Sequence, residues 1–145
     1  MSHVVSQVLD LKDLDCLRAA CEELGLEIRA KKHYRWFGRS VGDYPVPEGF
    51  EVHELGKCEF AIGIKGDTQA YEIGAVKKGG QWRLIYDFWG PGQALAKKLG
   101  QNLEALKTAY GVQVVKKAGV KLTAMGYKLV TETKPSGEVV MTYRK

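Results

Sequence analysis

Apolar residues recur along the chain with two different periods, and these periods predict a mixed set of strands and helices. Residues 3–9 suit a short strand, and Asp10 is then expected to cap a helix, with Asp13 in the capping-box position. The apolar face of this helix has spacings of three and four: Leu11, Leu14, Leu17, Cys21 and Leu24. Gly25 is expected to end it, and alternation at residues 26–31 predicts a second strand. The chain therefore opens as β-α-β, which is a ferredoxin-like opening if one strand lies between these two.

Three more strands are predicted to form a meander at the centre of the chain. They cover about residues 58–65, 70–77 and 82–89, and glycine-rich turns join them. One face of the third strand is predicted to lie in the core: Trp82, Leu84, Tyr86 and Phe88. The opposite face holds the side chains that remain candidates for function: Arg83, Asp87 and Trp89.

From Gln93 onwards the apolar period becomes helical. The stripe consists of Leu95, Leu99, Leu103, Leu106, Tyr110, Val114, Ala118 and Leu122. It fits one long helix or two helices, and a break near Gly111 is favoured. Lysines off this stripe are expected to form an exposed basic surface, and a C-terminal hairpin at about residues 127–143 follows. The pattern as a whole predicts an α+β fold, in which helices cover one face of a mostly antiparallel sheet.

The 145 residues fit a single domain, 1–145, with a loop or insertion at about residues 32–57, where prolines and glycines interrupt any regular pattern. The net charge of +5 permits a phosphate-bearing partner without requiring one. The three cysteines match neither a zinc nor a disulfide spacing, so reduced core residues are expected. There is no signal-peptide pattern and no apolar run of the roughly 20 residues that span a bilayer, which predicts a cytoplasmic protein without a membrane partner.

Basic and aromatic side chains are mixed in residues 31–39, and this mixture is the best signal for a nucleotide or nucleic acid. The candidate ligand contacts here are Lys32, Tyr34, Arg35, Trp36 and Arg39. Arginine makes bidentate contacts with phosphate, and aromatic rings stack on bases. A solvated loop that is anchored by a core tryptophan would have the same composition, so both interpretations stay open.

Asp87 is the candidate acid of the aromatic hairpin. A carboxylate among aromatic rings can acquire a raised pKa and act as a general acid or base, or it can accept hydrogen bonds that fix the sheet. The structural role is favoured. Trp89 is a candidate for stacking on a ligand ring. The histidines are scattered and no catalytic or metal-binding motif is present, so neither a metal nor a cofactor is expected.

Several short stretches carry a family resemblance: Met1-Ser2-His3, residues 34–38, Tyr71-Glu72-Ile73-Gly74, Tyr86-Asp87-Phe88-Trp89-Gly90 and Tyr110. Through them the sequence resembles the hypothetical chloroplast reading frame 35 family, a group of small proteins of plastids, cyanobacteria, other bacteria and phages. Glu72, Tyr86 and Phe88 depart from the usual residues of that family, as does the insertion at about residues 40–57. Because the family has no established activity, the resemblance implies a fold and a cytosolic setting but no reaction.

The leading functional prediction is a non-catalytic binding module for a phosphate-bearing ligand, either a nucleotide or a nucleic acid. The alternative is an interaction subunit that docks on a larger protein partner through the aromatic loop and the basic helix surface. The third hypothesis is an enzyme that uses Asp87 with Tyr71 or Tyr86, although a second positioned acid or base is missing. The sequence leaves the oligomeric state open.

Overall fold

The computed structural model describes residues 4–36, 38, 46–88, 90–133, 135 and 139–144. The strands are β1 (Val4–Leu9), β2 (Leu26–Arg29), β3 (Phe60–Ile64), β4 (Ile73–Lys78), β5 (Gln81–Asp87), β6 (Lys128–Thr133) and β7 (Val139–Arg144). The α-helices are α1 (Leu14–Glu23), α2 (Gln93–Leu99) and α3 (Glu104–Ala124). This order confirms the predicted α+β class, the β-α-β opening, the central meander and the final hairpin.

Five strands form one antiparallel sheet in the order β1-β5-β4-β3-β2. Its register places Val5 opposite Tyr86 and Ala75 opposite Leu84. The condition for a ferredoxin-like opening, a single strand between β1 and β2, is not met, because β5, β4 and β3 lie between them. β2, β3, β4 and β5 pair with one another in chain order, and β1 pairs with β5, the last strand of the meander.

The first core lies between the sheet and the helices. Leu84 and Tyr86 are completely buried there, and Trp82 and Phe88 pack against it, so the predicted core face of β5 is confirmed. The helices and the connection between α2 and α3 contribute further buried residues: Leu17, Ala20, Cys21, Leu95, Leu99, Leu103 and Leu106. Helices therefore cover one face of the sheet, as the apolar pattern indicated.

Helix α1 begins one turn later than expected. Its N-cap is Asp13, whose Oδ1 accepts a hydrogen bond from the Cys16 N–H at 3.1 Å. Asp10 as the cap is wrong, because the Tyr110 hydroxyl accepts the Lys12 N–H at 2.9 Å and holds the preceding residues in an extended connection. Gly25 adopts a φ of +73° and follows the last turn, which confirms its predicted place.

The apolar stripe after Gln93 forms two helices, and the break lies at residues 100–103 instead of near Gly111. Gly100 leaves the helix with a φ of +87°, and the completely buried Leu103 adopts a φ of +58°. Gly111 lies inside α3, where a glycine lowers helix stability without ending the helix.

Residues 30–59 connect β2 to β3, and their described part, residues 30–36, 38 and 46–59, covers the other face of the sheet; this described part is called the covering segment below. The covering segment includes a 3₁₀ turn, Val52–Glu54, and an isolated bridge between His33 and Lys57. Apolar residues of the segment and of the sheet form a second core: Val4, Tyr34, Phe50, Leu55, Cys58, Ala61 and Ile85. The described residues of the stretch predicted as a loop thus pack against the sheet.

Strands β6 and β7 form a separate two-stranded sheet that lies against α3. The Tyr143 ring reaches Gly119 of α3, where the missing side chain leaves the room that the ring occupies. None of the helices in the described ranges is both long and apolar enough to cross a lipid bilayer.

Candidate functional site

A completely buried carboxylate, Glu72, lies immediately before β4 and forms ion pairs with cationic side chains of β2 and the covering segment. Arg29 Nη1 donates to Glu72 Oε2 at 2.8 Å, and Lys31 Nζ donates to Oε1 at 2.8 Å. The backbone N–H of Arg35 donates to the same Oε1 at 2.7 Å, and the Glu72 N–H donates to the Arg35 carbonyl at 2.9 Å. Glu72 therefore ties the start of the covering segment to the sheet.

The charge of Glu72 is stabilised by these partners. Burial by itself raises the pKa of Glu72, but the hydrogen bonds from Lys31, Arg29 and the Arg35 N–H outweigh it, so that the net pKa lies below the ordinary value. Arg29 is also held by Glu27, whose Oε1 accepts from Nη2 at 2.9 Å. The cluster is therefore ionised at neutral pH and internally paired.

Aromatic residues of the covering segment pack against glycines. Tyr34 is 3% exposed, and its ring occupies the space beside Gly74 in which a Cβ would overlap it. Trp36 is half-buried beside Gly56, with its ring centroid 6.4 Å from that of Tyr34. Tyr34 is therefore a packing residue, while part of Trp36 remains accessible.

Arg35 and Lys32 present positive charge on the same segment. Within the described part of the chain the buried Arg35 Nη1 has no hydrogen-bond acceptor. The pKa of the nearby Asp67 is lowered mainly by N–H groups of Ala70 and Gln69, and the charge of Arg35 adds to this effect. Lys32 is 74% exposed, and its nearest carboxylate is Glu59 at 3.7 Å. We call Arg35 and Lys32 together the arginine site.

Arg83 and Asp87 lie on β5, which β4 and β3 separate from β2 in the sheet. Arg83 Nη1 donates to the Glu48 carbonyl at 3.3 Å, and its guanidinium lies 5.7 Å from the centre of the Phe50 ring. Asp87 is completely buried, and burial followed by the Asp87 charge raises the pKa of Tyr71. Both side chains thus lie on the face of the sheet against which the covering segment packs.

The eight predicted contact residues are only partly brought together. Lys32, Tyr34, Arg35 and Trp36 belong to one anchored stretch, whereas Arg83 and Asp87 lie further along the sheet. Arg39 and Trp89 lie outside the described residues.

The sequence did not predict that Glu72 binds Arg29, Lys31 and the Arg35 N–H; it indicated Glu72 only as part of a short motif. A signal was present, since β2 alternates Leu26 and Ile28 on the core face with Glu27 and Arg29 on the other. A charged side on a covered strand requires an opposite charge nearby. The acid that fulfils this requirement is 43 residues from Arg29 along the chain, which no local pattern reveals.

The cysteines are buried and free, and they do not provide reactive thiolates. Burial raises the pKa of Cys21 to about 12 and that of Cys58 to about 11. Across the described residues, no three histidine, cysteine or carboxylate side chains lie close enough to hold a metal ion.

Comparison of the chain with models of protein families, with curated protein sequences and with solved structures found no match. The resemblance to the chloroplast reading frame 35 family therefore stays a prediction. A function can therefore be inferred only from the geometry of the chain's own residues.

Proposed function

We propose that the protein is a non-catalytic binding module for a phosphate-bearing ligand, either a nucleotide or a nucleic acid. The arginine site would provide the main anion contacts. The observation that carries this proposal is the state of Arg35, whose backbone is fixed by Glu72 on both sides while its Nη1 has no acceptor among the described residues. Such a guanidinium is positioned in advance for an anion.

Hydrogen-bond energetics favour this interpretation of Arg35. A buried N–H without an acceptor costs about 1–3 kcal/mol, and a bound anion removes that cost. Guanidinium groups form short, bidentate hydrogen bonds with phosphate oxygens. Because the backbone of Arg35 is already ordered, little conformational entropy is lost when the ligand binds.

Neighbouring residues would complete the site. Lys32 has an exposed ammonium group that can reach a second phosphate, and the accessible part of Trp36 can stack on a base. Arg39 continues the basic stretch in the sequence and remains a proposed contact, as do Arg83 and Trp89. Tyr34 and Asp87 would support the site from within the fold, since both are buried.

The test is to remove the two cations and measure binding. We expect the Arg35→Ala/Lys32→Ala variant to bind a fluorescently labelled single-stranded oligonucleotide, or ATP, at least tenfold more weakly, since hydrogen bonds to charged groups contribute about 1.5–3 kcal/mol. Fluorescence anisotropy measures the first probe and isothermal titration calorimetry the second. The melting temperature should stay within about 2 °C, because Arg35 Nη1 has no described acceptor and the contacts of Lys32 with Glu59 are exposed.

A matched control removes the same two kinds of charge elsewhere. Arg18→Ala/Lys12→Ala alters exposed cations in and before α1 and should leave binding unchanged. Equal binding by the arginine-site variant and this control would contradict the proposal. If the oligonucleotide is bound, the slope of log K against log salt should fall by about 1.4 in the arginine-site variant, since each single-strand phosphate contact contributes about 0.7.

The interaction-subunit hypothesis is supported by a different surface. The C-terminal end of α3 and the hairpin expose large apolar side chains, with Val120 69%, Met125 56% and Leu129 40% exposed. Apolar side chains grouped in this way are typical of protein contact surfaces. The enzyme hypothesis has less support, because Asp87 is completely buried.

A further inference from the structure

A cavity of about 110 Å³ lies on the helix-covered side of the sheet, at the edge formed by β1. It is lined by Val5, Phe88, Gln101 and Asn102. β1 and β2 are the opposite edges of the sheet, so this cavity is separate from the arginine site, which follows β2. Two apolar side chains and two amides thus surround a space that the proposed phosphate site does not use.

The two amides belong to a turn that the fold holds rigidly. The completely buried Tyr86 donates its hydroxyl hydrogen to the Gln101 carbonyl. On either side of the amides, Gly100 has a φ of +87° and the buried Leu103 a φ of +58°. A leucine in this left-handed conformation is strained, and such residues persist where the surrounding structure fixes them, often at binding sites.

Hydrogen bonds also orient Asn102. Lys107 Nζ donates to Gln7 Oε1 at 2.7 Å, and Gln7 Nε2 donates to Asn102 Oδ1 at 3.4 Å. Among the described residues, no hydrogen bond uses the Asn102 side-chain nitrogen or the Gln101 side chain. Donors and acceptors therefore remain for a ligand, and the Lys107 charge is one side chain away.

We propose that this cavity binds a six-membered nitrogen heterocycle of the pyrimidine class, as a nucleoside or as an unpaired base of a nucleic acid. Its volume is below the roughly 150 Å³ of an engineered cavity that admits benzene, so a single ring fits only with part of the ligand outside. Side-chain amides form paired hydrogen bonds with base edges that combine a donor and an acceptor. Phe88 provides a face for stacking, and both an ammonium group, Lys107, and a carboxylate, Glu104, which accepts the Asn102 backbone N–H at 3.2 Å, lie near the amides.

The experiment is a titration of the ¹⁵N-labelled protein with uridine and cytidine, observed by NMR. A ligand of this size is expected to bind with a Kd of about 1 mM. We expect signals of Gln101 and Asn102 to shift as the nucleosides are added. Gln101→Ala and Asn102→Ala should each raise the Kd about three- to tenfold, because each removes neutral hydrogen bonds.

Two controls keep the result specific. Gln81→Ala removes an exposed amide at the start of β5 and should leave the Kd unchanged. Adenosine, whose base has two fused rings, should bind more weakly than uridine. Melting temperatures confirm that the variants are folded, which is expected since Gln101 and Asn102 are exposed.

Three outcomes would overturn the proposal. The first is no shift at Gln101 and Asn102 up to about 10 mM of either pyrimidine nucleoside, ten times the expected Kd. The second is binding that neither amide substitution weakens, and the third is adenosine binding as tight as that of uridine. The arginine-site variant should bind uridine normally, so failure of one proposal is distinguishable from failure of the other.

Discussion

Glu72 has the largest structural role that a single residue takes on in this protein. It neutralises Arg29 and Lys31 and fixes the backbone of Arg35, so that one side chain joins β2, β4 and the covering segment. Two residues further on, Gly74 leaves the space that the Tyr34 ring fills. The short motif Tyr71-Glu72-Ile73-Gly74 is thus explained as an anchor for the covering segment.

Replacing Glu72 should therefore destabilise the protein strongly. We expect Glu72→Gln to lower the free energy of unfolding by about 3 kcal/mol, because removal of one member of a buried ion cluster leaves the others uncompensated. Urea unfolding at neutral pH measures the change. Glu59→Gln is the matched control at an exposed position and should change stability by less than about 0.5 kcal/mol. Equal losses in both variants would contradict the role given to Glu72.

The same residue predicts a pH dependence. The folded-state pKa of Glu72 is lower than its ordinary value of 4.5, so its contribution to stability is complete above that pH and is lost as the pH falls through the folded-state pKa. The difference in stability between wild type and Glu72→Gln should thus be constant from neutral pH down to about 5 and shrink below 4.5. A difference that grows in acid would show that the sign is wrong.

At the scale of elements, α3 contains two glycines in different surroundings. Gly119 lies against the Tyr143 ring of β7, and a Cβ there would overlap the ring. At Gly111, apart from its chain neighbours and the adjacent backbone of α3, no described atom lies within 4 Å of the place where a Cβ would be. The helix tolerates both residues, but only Gly119 is required for packing of the hairpin.

These two sites make a matched pair of substitutions. We expect Gly111→Ala to raise the free energy of unfolding by up to about 1 kcal/mol, since alanine is the better helix former. Gly119→Ala should lower it by about 1–3 kcal/mol, because the added methyl group overpacks the contact. Hydrogen exchange should show the loss of protection in β6 and β7, with β4 and β5 unchanged. Equal stabilisation by both alanines would refute this contact.

Charge is divided unevenly over the whole molecule. Residues 1–25 contain one lysine, one arginine and five carboxylates. Residues 88–145 contain ten lysine and arginine residues and three carboxylates. Some of this charge is paired where α1 meets α3, as in the contact of Lys117 with Asp13 at 2.5 Å. If the proposed ligand is a nucleic acid, the exposed positive charge that remains on α2, α3 and the hairpin would attract it at long range.

Long-range attraction and direct contact should affect different rate constants. We expect glutamine at the four exposed positions Lys97, Lys98, Lys116 and Lys128 to slow oligonucleotide association about tenfold at low salt and to leave dissociation nearly unchanged. The arginine-site variant should instead dissociate faster. Stopped-flow fluorescence measures both rates. The association difference should vanish near 1 M salt, where the Debye length is about 3 Å, and its persistence there would exclude steering.

The sequence by itself determined the kinds of element and their order. Alternation and helical spacing specify which side chains must leave water, so the meander, the core face of β5 and the α+β class follow from local pattern. The sequence also showed the basic and aromatic residues that lie together at the start of the covering segment.

Tertiary structure alone decided the positions that depend on distant partners. Gly100 and Gly111 have the same helix propensity, yet the helix is interrupted only at Gly100. The nearby Leu103 is completely buried in the core there. β1 lies beside β5 because that edge of the meander was open. Glu72 binds the side chains of Arg29 and Lys31 and the backbone N–H of Arg35 across long stretches of chain, and no local pattern could specify these partners. A one-dimensional pattern records what each residue prefers, whereas the folded chain determines which preferences are satisfied together.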